Sequence, residues 1–392
     1  MALLLLSLLA CLAVWPGMAG AEGDSGAGSV TKEVIRSQLD QLQTKEIESF
    51  WRTLQTDYGR YLESSGKESL WDFLLSGKDW SFKGLLTGLV RFFFHEVLYN
   101  GKLLGSIIVL TVFSMILQSL QNAFEHNQVS KVAYAIVFMV LIVLAVDSFT
   151  VAVDAARTAI GRMIDFMLAL VPLMLTLLTS MGNLGSVAFF HPLIVFMIHV
   201  IGTVIYTLVF PLLFFSTVLS IVSCLSDKYK VNQLAGLLKK VSVTVMGALL
   251  AIFLGVISVQ GGSAAVADGV ALRTAKYITG NFVPVIGRTI SDAADTVMGA
   301  SLLVKNTIGL AGVIILLMLC AFPALKILSL AFIYNFSAAV MQPLGNSPVI
   351  ESLSNIGKTL IYIFAALAAV GLMFFLAITI IVASGNISVM MR

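Results

Sequence analysis

Charge is scarce in this chain. Asp, Glu, Lys and Arg make up 11% of its 392 residues, against roughly 25% in soluble domains. A soluble globular fold is thereby excluded, leaving an integral membrane protein. Histidine is scarcer still: His95, His126, His191 and His199 stand at no metal-ligand spacing. The three cysteines, Cys11, Cys224 and Cys320, fall in or beside apolar runs, so no disulfide or metal framework is visible. There is no G-x-x-x-x-G-K-[ST] loop, no H-E-x-x-H, no paired C-x-x-C and no G-x-S-x-G, so the usual signatures of nucleotide, zinc, thiol and serine chemistry are missing. No catalytic, metal or cofactor residue is assigned, and an enzyme has nothing to stand on. The net charge of +3 is too small to argue for nucleic acid.

What is present is hydrophobic: 58% of the residues, with a mean hydropathy of +0.97. The charges crowd toward the start, 22 of 45 lying in residues 1–102. The expected fold is all-α, a polytopic helical membrane protein with a small helical extracytoplasmic N-terminal domain. Residues 1–21 have the apolar core and small-x-small end (Ala19-Gly20-Ala21) of a signal peptide. Their n-region lacks Lys and Arg, which leaves an uncleaved anchor and a lipoprotein open. Residues 22–80 form the polar helical domain. Within Val30–Leu62 one face collects Val34, Leu39, Ile47, Trp51, Leu54, Tyr58 and Tyr61, either to pack on its own domain or to dock a partner. Residues 81–102 read as an amphipathic helix with a Phe-rich face, lying in the headgroup plane or packed against the N-terminal domain.

Membrane helices follow in two groups, 103–260 and 307–392. The apolar runs are Leu103–Leu117, Val132–Val146, Phe166–Met181, His191–Ser223, Val241–Val259, Ile308–Leu325 and Thr359–Ser384, a count of seven, within about two. His191–Ser223 contains Pro211 and is either one kinked helix or two short spans. A cleaved signal puts residues 22–102 outside the cytosol, while the basic loop Asp227–Lys240 belongs inside. With single spans throughout, both fall on one side. Splitting the long run at Pro211 reconciles them.

Between the two groups, residues 261–306 are Gly-rich and amphipathic or re-entrant. Gly261–Gly312 holds eight of the 31 glycines in 52 residues, yet carries Asp268, Arg273, Lys276, Arg288, Asp292, Asp295 and Lys305. Pro284 removes a backbone donor and Gly287 permits an unusual turn, so the stretch reads as two short amphipathic helices around a break. Arg288 and Asp292 stand one helical turn apart and can pair. These seven side chains without Lys305, together with Pro284 and Gly287, are the candidate site. A second charged group, Asp147, Asp154, Arg157, Arg162 and Asp165, flanks the third run. Landmarks around Arg157-Thr158-Ala159 and Pro172 recur near Arg273-Thr274-Ala275 and Pro284 at offsets of 109 to 116 residues, either by chance or from an internal duplication.

The stretch VADGVALRTAKYITGNFVPVIGRTISDAADTVMGASLLVKNTIGLAG closely resembles the signature region of the stage III sporulation protein AE family of endospore-forming bacteria, and Ser81–Leu110 extends the likeness. The resemblance implies a polytopic protein of the mother-cell membrane around the forespore. It implies partnership with other stage III A proteins and, directly or indirectly, the forespore stage II protein Q, in a channel or secretion-like complex needed for spore development. Self-association is left open, and the resemblance names no catalytic residue. The competing reading is a secondary transporter whose path runs through the Gly261–Gly312 break.

Overall fold

The computed structural model describes residues 44–61, 69–71, 82–123, 128–182, 184–225, 231–282, 286–345 and 347–390, with the side chains of 260–298 outside that description. The signal segment and most of the polar domain expected over 22–80 therefore lie outside the described residues, as does Pro284. Among the described residues every element is helical. In chain order these are α1 (Lys45–Tyr58, continued by a 3₁₀ turn Gly59–Tyr61), α2 (Phe82–Tyr99), α3 (Gly101–Ala123), α4 (Gln128–Ser180), α5 (Leu184–Val204), a π-helical segment (Ile205–Val209), α6 (Phe210–Leu225), α7 (Asn232–Phe282), α8 (Ile286–Met341) and α9 (Pro348–Met390).

Six helices are long and apolar enough to cross a membrane among the described residues, one fewer than the seven runs. The difference comes from α4. Val132–Val146 and Phe166–Met181 were read as separate spans because charge lies between them, but the helix continues for 53 residues through Asp147–Asp165. Alanines at 145, 152, 155, 156 and 159 keep helix propensity high there, and charges on one face of a helix cost its backbone nothing. Three spans, not four, then separate the N-terminal segment from the basic stretch Asp227–Lys240, of which residues 232–240 form the start of α7 and not a loop.

That odd number changes the topology argument. The run at 191–223 does not reverse direction at Pro211: α5, the π-segment and α6 follow one another with helical backbone at both junctions. Pro211 lacks an N–H and its ring crowds the preceding turn, and the wider π-turn just ahead of it absorbs both. The split proposed to reconcile the orientation signals is thus wrong. Merging the second and third runs reconciles them instead. Single cysteines at Lys45 and Gln233 are expected to react with an impermeant thiol reagent from opposite sides of the membrane; labelling from one side would overturn this topology.

The core lies where α4, α8 and α9 meet. Ile160, Met163, Phe166 and Met167 of α4, Ile315, Ile327 and Ile333 of α8, and Leu360, Ile363, Leu367 and Phe374 of α9 are all fully buried. Lipid is as apolar as these side chains, so close packing and hydrogen bonds, not water exclusion, hold such helices together. Accordingly the contacts are close. A Cβ on Gly371 of α9 would stand 2.6 Å from Cys320 Sγ, and one on Gly357 would stand 2.6 Å from Asn335 Nδ2. Tyr334 Oη, fully buried on α8, donates to Ser148 Oγ at 2.8 Å, within reach of the Leu144 carbonyl at 3.1 Å. At the end of α4, Gly182 takes φ 82° and its amide bonds the Thr179 carbonyl at 2.9 Å, the left-handed stop that lets α5 turn back.

Helix α2 runs along α8, with Phe92 meeting Phe322 and Phe93 meeting Phe332, while Met115 of α3 lies near Gly345 in the turn between α8 and α9. Within residues 81–102, Phe92 stands edge-on to both Tyr58 and Tyr61, a contact with the N-terminal segment. The Tyr61 carbonyl sits so close to Gly88 that no side chain fits there.

Candidate functional site: the charged waist of α4

The residues singled out in the central stretch fall on two long helices, not on two short ones. Asp268, Arg273 and Lys276 lie in the last part of α7, a helix of 51 residues, and Gly287, Arg288, Asp292 and Asp295 in the first turns of α8, a helix of 56. Three residues of sequence separate the two helices. Arg288 and Asp292 keep their one-turn spacing on α8. Their side chains are outside the described set, and no pairing is assigned.

Of the duplication landmarks, Pro172 lies inside α4, eight residues before its end, whereas α7 ends at Phe282, two residues before Pro284.

The second charged group is where described side chains converge. Along α4, Asp147, Thr150, Asp154, Arg157, Thr158 and Asp165 are exposed, while Ala152, Val153, Ala156, Ala159 and Ile160 are buried. The polar residues recur at three- and four-residue intervals and so share one face. Asp147 to Asp165 covers about 27 Å of helix. Beside this face opens a cleft of about 430 Å³ lined by Asp57, Tyr58, Asp154, Thr158, Arg162 and Lys326, with Pro323 and Leu319 behind.

Each wall has a local cause. Helix α1 buries Ile47, Trp51 and Leu54, spaced along one side, and so turns Asp57 outward at its last turn. Asp57 accepts from Arg162 of α4 at 2.9 Å. Both side chains are more than a third exposed, so this pair contributes no more than about 1 kcal/mol. Aromatic contacts do more to seat α1: Tyr58 stacks on Phe322 at 4.1 Å and Phe50 meets Phe166 edge-on at 5.3 Å. Burial, with Asp57 alongside, pushes the Tyr58 hydroxyl above its ordinary pKa. Lys326 follows Pro323 by three residues on α8 and is half-buried. From the far side, Tyr206 of the π-segment donates to the Arg157 carbonyl at 3.1 Å, tying the bulge to the waist. Among the described residues, Asp147, Asp154, Asp165 and Lys326 have no ion-pair partner.

The family model described as "Stage III sporulation protein AE" matches residues 66–385, and so takes in both charged groups. The chain belongs to the stage III sporulation protein AE family. A Bacillus subtilis (strain 168) stage III sporulation protein AE is 53% identical over 372 residues, covering 95% of this chain and 93% of that protein. No solved structure matches. As a member of this sporulation family, the chain is a multi-pass helical membrane protein.

Sequence reading named five waist residues but set them beside a span, when they lie in the middle of one helix. Lys326 falls just past the apolar run Ile308–Leu325. Asp57 was missed entirely: it joins the cleft by the docking of α1, 105 residues from Arg162, and no local pattern announces that. Lys305 was noted among the central charges. The structure moves it away from them, fully buried in α8 and donating to the Val382 carbonyl at 2.8 Å.

Proposed function

We propose that this chain is a non-enzymatic core or platform of the assembly that joins mother cell and forespore during stage III of sporulation. It sits in the mother-cell-derived membrane around the forespore. Its partners are the other stage III A proteins and, directly or through them, the forespore stage II protein Q. The observation that carries the reading is family membership over residues 66–385, with 53% identity to a named sporulation protein along nearly the whole chain. A long bundle with a charged, outward-facing waist supports a subunit made to be covered by others. The permease alternative places its path at Gly261–Gly312 and expects solute flux in liposomes holding this chain alone. Deleting the gene is expected to leave vegetative growth unchanged and to stop sporulation after engulfment. A growth defect with normal spore yield would refute the proposal.

A further inference from the structure

Helix α4 poses a problem of length. Its two apolar flanks, Val132–Val146 and Phe166–Ser180, each rise about 22 Å, short of the roughly 30 Å of a hydrocarbon core. Neither flank crosses a bilayer alone, so α4 crosses only if part of Asp147–Asp165 lies at membrane depth. The polar face there is not turned into this chain: Asp147, Asp154, Arg157 and Asp165 are all exposed. Charged groups at that depth face a water-filled space or a polar neighbour, not lipid. The adjoining cleft of about 430 Å³ brings Asp57, Arg162 and Lys326 to the same face, so the polar zone extends to three helices.

We infer that the α4 face from Asp147 to Asp165, with Lys326 and Asp57 at its edge, lines a water-filled passage that this chain encloses together with neighbouring subunits. The inference rests on the proposed role in a larger assembly, since this chain alone leaves the face open. Four carboxylates (Asp57, Asp147, Asp154, Asp165) face three cations (Arg157, Arg162, Lys326). This near balance suits small polar solutes and ions of either sign over a single charge class.

The test uses the full-length chain in sporulating cells, with Cys11, Cys224 and Cys320 replaced by alanine and sporulation of that background verified. Single cysteines replace Thr150, Asp154, Thr158 or Asp165 on the face. Thr176, exposed on a flank, and Ala156, buried, serve as references. Small cationic and anionic methanethiosulfonates are expected to modify the face at least about tenfold faster than either reference position. A bulky polyethylene-glycol maleimide is expected not to react.

Reaction with the bulky reagent would show the face open to bulk solvent, and failure of both small reagents would show it dry; either overturns the passage. Reaction with reagents of one sign only would overturn its lack of charge preference. Recovery of each variant as monodisperse protein from detergent extracts reports that it is folded. Spore formation after gene deletion is read separately, so loss of the passage and loss of the sporulation role are distinguishable.

Discussion

Substituting Gly371 by leucine is expected to unfold the α8–α9 core at a temperature at least about 5 °C lower, the effect of roughly 2–3 kcal/mol of overpacking. Gly371 faces Cys320, whose Sγ and Cβ would stand 2.6 and 3.2 Å from an added Cβ, with Met163 Sδ at 3.9 Å behind. The Cys320 side chain is short and its Sγ already lies 3.9 Å from the Leu367 carbonyl of α9. Helices α8 and α9 must separate. Gly247→Leu is the matched control: it lies in α7 with nothing within 4 Å of the added Cβ, and leucine is the better helix former. The reaction of Cys320 with a thiol-reactive dye on heating reads the transition directly. Equal melting of the two variants would show that α8 and α9 do not approach closely at Gly371.

The second large effect is expected at Lys305. Its ammonium is fully buried and reaches the Val382 carbonyl near the end of α9 at 2.8 Å. Lys305→Glu puts carboxylate oxygens where a donor stood and leaves them facing a carbonyl, a change expected to cost about 3–5 kcal/mol and most of the folded yield. Lys305→Met keeps the length and removes both charge and donor. Swaps of a buried charge for an apolar residue of similar volume are often close to neutral, so this variant is expected to retain most of its yield. Monodisperse protein recovered from detergent extracts measures both. A Glu variant as well behaved as the Met variant would show that the amine does not point into the core.

The helices were legible because lipid leaves the backbone no other choice: a polar chain at that depth must satisfy its hydrogen bonds internally. Long apolar runs therefore announced their class. Their continuity was harder to read. Charge between Val146 and Phe166 looked like a loop because hydropathy averages over all faces of a segment, while a helix needs only one face to be polar. Pro211 left one kinked helix and two short spans both open, because proline breaks a helix in isolation and nothing local predicts that a π-turn will absorb it; the continuous helical run is what is found. Pro284 lies outside the described residues, and the helices that end at Phe282 and begin at Ile286 are long where short ones were expected. The cleft was the least legible of all. Asp57, Arg162 and Lys326 come from three distant segments, and only the seating of Tyr58 on Phe322 brings them together.

The order of the helices also bears on how the protein is made. Helix α8 draws its closest contacts from α9, which occupies the last 43 residues before Met390. During translation α8 enters the membrane carrying Lys305, whose acceptor follows 77 residues later, and Asn335 and Cys320, whose facing glycines are still inside the ribosome. The core is thus completed only after α9 has followed α8 out of the ribosome. A chain cut short before Val382 keeps most of its spans but lacks the carbonyl that Lys305 reaches in the complete bundle.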